Sequence, residues 1–547
     1  MRGRTRAMAA AAGIAAVTLV AAACGGSSGS GSSGSKDDST VRIAGCTPQA
    51  ELYTGNTNEV CGGTVLDAVT AKLVRYNTDT SEPENDIAQS ITSSDNQHFD
   101  VKIKPDYKFS DGTTVKAKNF VDAWNWNAYC KNGQANAYFF APIAGYDDLQ
   151  SDAKCSKTPK SKKMSGLKVK SDTEFTITTS EKVSNLPVRL GYVAFAPLPD
   201  SFFASAANRK KQEKFPVGAG PFKVTGNTAT DITLEKNPNY SGTEKPHVKK
   251  VDYKIYTDAS AAYNDLLANN IDFSGTTTPI PSDQLTNDQW KSDLQGRNGS
   301  KASSVFTYLT FSPVDKQLKG NVELRKSISE AIDRDTIIKQ IFAGSYTKAT
   351  GWVSPVVDGY KAGACGTACD FDAAKAKADF KAAGGYKGTL TLTYNADGGN
   401  KAWSEAAANS IKNTLGINCV AKPVPTFKEF LNQLDKDQIK GVFRNGWVMD
   451  YPSIENYLSP IYSSNADSNY ARYKDPKFDA QLKKAASADP DKANVEYQKA
   501  EAILAKGFPT APLWFQKTNY GWSDRVTNVK VDAFQQVDLS AIQIKKS

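Results

Sequence analysis

Residues 444–452, RNGWVMDYP, bring a cation, an indole and a carboxylate into one short segment. The apolar run Gly441-Val442-Phe443 leads into it as a strand would, and Pro452, which cannot donate to a ladder, stops it. Arg444 and Asp450 are six residues apart, so they lie at most ~20 Å apart along an extended chain. A guanidinium and a carboxylate so placed suit a ligand charged at both ends, such as a short peptide, with Trp447 read as an exposed wall. The same spacing also fits a surface ion pair beside a core tryptophan, and the rest of the chain has to decide.

Catalytic chemistry finds little support. The two histidines, His98 and His247, sit in strand-and-loop surroundings without a nucleophile motif beside them. HExxH, Walker A and a strand-borne GxSxG are absent. Cys365-Gly-Thr-Ala-Cys369 lacks the second pair that a zinc knuckle requires. The expectation is a binding protein, not an enzyme, with no cofactor and no metal.

Charge points the same way. The formal net charge is +9, and removing Arg2, Arg4 and Arg6 with a leader lowers it to +6. Lys157–Lys163 (KTPKSKK) is the densest basic patch, and without interleaved aromatics it reads as a solvated loop, not a nucleic-acid site.

The N-terminus says where the protein works. Arg2, Arg4 and Arg6 precede an alanine-rich apolar run from Ala7 to Ala23, and small residues stand before Cys24, the pattern of a cleaved signal peptide. Cys24 after Ala21-Ala22-Ala23 resembles the lipobox of bacterial lipoproteins, in which the cysteine is acylated, although Ala21 stands where leucine is usual. Residues 24–39, with the tract GGSSGSGSSGS, read as a lipidated cysteine and a flexible tether reaching roughly 20 Å. The expected location is the outer face of the plasma membrane, with the folded part in water.

Seven cysteines follow Cys24. In an extracytoplasmic setting they read as disulfides, and near-neighbour pairing gives Cys46–Cys61, Cys130–Cys155 and Cys365–Cys369, leaving Cys419 free, although other pairings stay open.

The elements that must position the segment alternate between strand and helix periodicity without an internal repeat, which implies a mixed α/β protein. Strands are expected at Thr40–Ala44, Phe175–Thr179, Val251–Tyr256, Val305–Phe311 and Thr389–Tyr394. A hairpin is expected from Phe99–Lys104 and Tyr107–Phe109. Helices are expected at Val65–Tyr76, Lys116–Trp126, Ser260–Asn270, Val322–Ile332, Asp335–Phe342 (capped by Asp333), Phe371–Ala383, Trp403–Leu415 and Phe427–Leu434.

Eight of these stretches, in order, resemble the oligopeptide- and dipeptide-binding family of ABC-importer solute-binding lipoproteins. They are FSDGTTVKAKNFVDAW (109–124), GAGPFKV (218–224), LEKNPNYSG (234–242), NDLLANNIDFSG (264–275), YLTFS (308–312), LRKSISEAIDRDTIIKQIFAG (324–344), GWVMDYPSIENYL (446–458) and FPTAPLWF (508–515). Asn270 stands where a glycine is usual, and Ser453 where an acid is common.

The resemblance implies a class II periplasmic-binding-protein-like fold of two lobes joined by two crossovers. Lobe one would be residues 40–305 plus a C-terminal return over 516–547, with a subdomain inserted at about 85–200, and lobe two would be 306–515. It implies that Asp450 pairs with a peptide's α-ammonium, that Arg444 holds the carboxylate of a short peptide, and that Trp447, Gly446 and Tyr451 belong to the same site. The loop Leu52–Thr54, with Tyr53, would supply main-chain contacts. The implied partners are a short peptide, an ABC permease with its ATPase subunits, and the membrane through the anchor, around a monomer. Metal chelates, sugars or siderophores, or a peptide-signal receptor role, are the alternatives within the same fold.

Overall fold

A computed structural model describes residues 39–152 and 155–545. Its backbone is an eleven-stranded sheet that runs through the whole unit. From one edge the strands are Asn418–Val424, Thr389–Asn395, Val442–Trp447, Asn298–Phe311, Thr510–Trp522, Phe273–Ser274, Thr40–Gly45, Lys250–Ile255, Asp231–Lys236 and Phe222–Asn227, with Thr347–Lys348 paired to Thr510–Trp522.

Two strands are far longer than the rest, and they explain how one sheet serves two lobes. Asn298–Phe311 and Thr510–Trp522 pair antiparallel from Asn298↔Gly521 to Ala302↔Lys517, then resume at Phe306↔Phe515 after a register shift. Phe306 and Phe515 belong to one apolar core, whose members run from Phe306 to Phe515 with Ala533 and Phe534 added. On the other side of the shift lies a separate core built from Val41 to Phe273 and Val526 to Ile542. A third core spans Ala71 to Ala219 over a four-stranded antiparallel sheet, in the order Ala88–Thr92, His98–Ile103, Glu174–Thr178 and Leu167–Ser171.

Besides the strand expected at Val305–Phe311, which begins at Asn298, two expected elements differ. The first helix is Val60–Val69, not Val65–Tyr76, because Glu59 caps its start and a distant segment ends it. The Val69 carbonyl accepts the N–H of Gly220, and a Cβ on Gly218 would stand 2.0 Å from that oxygen, so the GAGPF turn packs where another helical turn would lie. Val74–Tyr76 is then free to pair with Pro83–Asn85. The strand His98–Ile103 is central in its small sheet and does not pair with Tyr107–Phe109, which folds back on Thr113–Val115 instead. Alternating burial marks a strand, but it does not name its partner.

Disulfides join Cys46–Cys61, Cys130–Cys155 and Cys365–Cys369; Cys419 is unpaired and buried, and burial pushes its thiol up to about 12. Among the described residues no helix is long and apolar enough to cross a membrane. Cys24 and the leader and tether lie outside the described residues.

Candidate ligand-binding cleft

The strand Val442–Trp447 lies against the long crossover strand, with Leu309↔Arg444 and Thr307↔Gly446 in register. Side chains alternate across a strand, which puts Arg444 and Gly446 on one face, and the alternation of burial continues past the strand's end through Val448 to Asp450. Those four are partly exposed, whereas Asn445, Trp447, Met449 and Tyr451 are buried. The partly exposed face borders two adjoining cavities, of about 180 Å³ around Arg444 and about 300 Å³ around Asp450. Val60, Phe427, Gly446, Val448, Phe534 and Gln536 line both, so they are compartments of one cleft.

At one end Arg444 stands over the ring of Phe427, 5.6 Å away, and has no carboxylate within ion-pair distance among the described residues. Its Nε is buried without a hydrogen-bond partner. Burial pushes this guanidinium down to about 10, and the nearby Asp397 offsets that only in part. Asp397 is itself engaged, accepting from Asn395 Nδ2 at 2.6 Å and from the Phe427 N–H at 2.8 Å.

At the other end Asp450 is held from behind. Asn456, fully buried, donates Nδ2 to the Asp450 carboxylate at 2.9 Å, and its Oδ1 accepts both the Asp450 N–H (2.7 Å) and Trp447 Nε1 (2.9 Å). The Tyr192 hydroxyl lines the same compartment and helps to hold that carboxylate ionised. Burial nevertheless dominates and, with Glu455 and Asp67 adding like charge, pushes Asp450 up to about 7. Asp532, also on this cavity, is pushed by burial to about 7 while accepting the N–H groups of Phe534 and Gln536. The cleft therefore holds a guanidinium without an ion pair at one end and, at the other, Asp450 and Asp532 without one, the Lys72 and Arg75 that line this compartment being engaged by Asp67, Glu84 and Glu244.

The remaining expected residues separate. Gly446 lines both cavities, and a Cβ there would meet only Phe306 O, at 3.7 Å, so its open side is cleft. Trp447 lines the Asp450 compartment but is only 8 % exposed and packs in the core, which corrects its reading as exposed. Tyr451 borders neither compartment. One residue past Asp450, where the chain bends, it packs into the core that holds Phe139, and its hydroxyl donates to Glu455. Tyr53 is also outside the cleft: its ring packs edge-on against Trp126 and Phe202, and its hydroxyl donates to the Arg209 carbonyl at 2.6 Å. The chain turns there, with Asn56 and Thr57 N–H groups returning to the Tyr53 carbonyl, so Thr57–Val60 face the cavity instead of Leu52–Thr54. Neither histidine borders the cleft.

Asn456 and Tyr192 were not singled out from the sequence. Asn456 lies within GWVMDYPSIENYL, yet an uncharged amide gives no signal of its own; Tyr192 is brought in from more than 250 residues away in sequence.

Comparison with known proteins follows this geometry. Residues 82–469 match the family model described as bacterial extracellular solute-binding proteins, family 5 Middle. The chain is similar to the oligopeptide-binding protein OppA of Bacillus subtilis, 26 % identical over 501 residues that cover 88 % of each chain. It superposes on Haemophilus influenzae OppA in complex with the peptide RPPGFSPFR with a TM-score of 0.82, at 20 % identity over 93 % of this chain and 99 % of that one. The murein tripeptide binding protein MppA of Escherichia coli gives 0.81, at 20 % identity over 93 % and 98 %.

Proposed function

Because the chain belongs to the bacterial extracellular solute-binding proteins of family 5, we propose that it captures short peptides between two lobes and delivers them to an ABC importer. The observation that carries this reading is the placement of a guanidinium and a carboxylate, neither in an ion pair, in the two adjoining compartments of one cleft, Arg444 on the strand and Asp450 just beyond its end. A free peptide is the complementary object, with an ammonium for Asp450 and a carboxylate for Arg444, whose planar fork suits bidentate contact. Its backbone would run past Gly446, where no side chain intrudes, with Trp447 as the adjoining wall. Peptide side chains vary, so affinity has to come from termini and main chain, as in strand-type recognition.

In this reading lobe one is 40–305 with 516–547, the insertion is about 85–200, and lobe two is 306–515. The register shift between Ala302 and Phe306 is then a natural hinge, because the ladder is already interrupted there. The function is binding, not catalysis. Cys24, once acylated, would anchor a monomer to the outer membrane face through the tether, and metabolic labelling of wild type against Cys24→Ser tests that.

Native mass spectrometry of the purified protein tests the main reading. A bound mass series fitting peptides supports it; a retained metal chelate or sugar, with no binding of added tripeptide, overturns it.

A further inference from the structure

Tyr451, which is absent from the cleft, belongs to a second contact between lobes. Its ring, 1 % exposed, sits 6.4 Å from Phe139 in the core of the inserted subdomain, although its chain segment comes from the other lobe. The Arg189 guanidinium of the insertion lies 5.8 Å from that ring and 3.4 Å from Glu455 Oε2, and Tyr451 donates its hydroxyl to the same carboxylate. Arg189 Nε is steadied by Asn185 Oδ1 at 3.0 Å. Both charged side chains are more than nine-tenths buried, and Glu455 holds Arg189 in its charged form, its pKa displaced upward against burial. Around this centre Ser184 N–H donates to the Ala486 carbonyl at 3.3 Å, and Lys483 pairs with Glu181 at 2.6 Å in the open.

We propose that Arg189, Glu455 and Tyr451 form a latch that holds the two lobes together and sets ligand affinity without touching ligand. The latch is tied to the binding site at two points. On the lobe-two side, Asp450 and Tyr451 are adjacent and face opposite ways, one to the cleft and one to the latch. On the insertion side, Arg189 engages Glu455 while Tyr192, three residues on, reaches Asp450. Closure that seats Tyr451 therefore also brings Tyr192 to the compartment that holds Asp450.

A buried ion pair returns roughly what its desolvation costs, so the intact latch biases closure only mildly. Removing one partner is different, because it leaves a charge more than nine-tenths buried without its counter-charge, and parting of the lobes hydrates it more fully. Apparent affinity scales with the population able to close, so such a variant binds more weakly although every ligand contact is intact.

The inference rests on the peptide-binding reading for its affinity readout but not for its conformational one. Nitroxide labels on Lys168→Cys and Lys412→Cys, both exposed and in different lobes, report the interlobe distance in the ligand-free protein. Glu455→Gln and Arg189→Met are each expected to lengthen that distance and to raise the Kd for trialanine at least tenfold. The double variant Arg189→Met/Glu455→Leu, which removes both charges, is expected to return both readouts to within threefold of wild type. Single variants with wild-type distances, or a double variant no better than the singles, overturn the latch. If trialanine binds none of the proteins, the peptide reading fails while the distances still decide the latch.

Discussion

Replacing Asp450 by asparagine removes a charge and little else. Asn456 Nδ2 still has an oxygen to bond, and the main-chain bond from Asp450 N–H to Asn456 is untouched. The magnitude follows from the displacement of the carboxyl from 3.8 to about 7, which burial causes. At about 1.4 kcal/mol per pH unit, holding Asp450 ionised in the closed cleft costs on the order of 4 kcal/mol. A ligand ammonium that restores the charge recovers most of it, within the roughly 2–5 kcal/mol range for truncating a buried charge pair. Asp450→Asn is therefore expected to weaken trialanine by about 3 kcal/mol, or ~100-fold, in titration calorimetry at pH 7.5. N-acetylated trialanine, lacking the ammonium, should bind wild type poorly and gain nothing from aspartate over asparagine. The sign with pH is fixed too: only the carboxylate attracts an ammonium, so wild-type affinity falls as pH drops below about 7, and that slope vanishes in the variant. Trialanine affinity within threefold of wild type, with the slope unchanged, would refute the reasoning.

Arg444→Met should cost tenfold or more for short peptides with a free carboxylate and nothing for their C-terminal amides. The same change should raise the melting temperature of the ligand-free protein, because an unpartnered buried donor costs about 1–3 kcal/mol. Glu501, buried where it accepts the Trp352 N–H at 2.8 Å, is pushed from 4.5 to about 7 by burial. Its protonated form favours the fold, a contribution present below about pH 4.5 and lost as pH rises through 7, at most about 3 kcal/mol. Denaturant unfolding of Glu501→Gln should therefore gain on wild type between pH 5 and pH 8. Removing Cys46–Cys61, whose cysteines are 15 residues apart and line the Arg444 compartment, by Cys46→Ser/Cys61→Ser should lower unfolding free energy by about 3 kcal/mol in the same assay.

Most of the strands and helices were legible because their residues repeat at the period of the element. What was not legible lies in partners remote in sequence. The first helix was placed late because Gly218 and Gly220, far along the chain, fix where its last carbonyl goes. The site itself was half written in the alternation of residues 444–451. Arg444, Gly446 and Asp450 share a parity and share the cleft, and the same rule applied to Trp447 and Tyr451 gives their burial. Tyr53 failed differently: a tight turn at its carbonyl redirects the chain, and nothing in Leu-Tyr-Thr announces it. Asn456 and Tyr192 are scaffolding residues, and their chemistry becomes visible only once the fold has brought them to Asp450.

The two charged ends of the cleft also explain each other. Burial lowers the pKa of Arg444 to about 10 and raises that of Asp450 to about 7, so in both cases the closed cleft disfavours the charged form. No protein group cancels either charge: Asp397, nearest to Arg444, is occupied by Asn395 and the Phe427 N–H, and Asp450 has only neutral donors around it. Each charge is therefore held less favourably in the cleft than in water, with no ion-pair partner to offset it. A ligand with one charge removes one penalty; a zwitterion of suitable length removes both, and its own charges are neutralised in return. Selectivity for peptides over other solutes then needs no pocket fitted to a particular side chain. It follows from leaving two opposite charges without an ion-pair partner, one in each compartment of a single cleft.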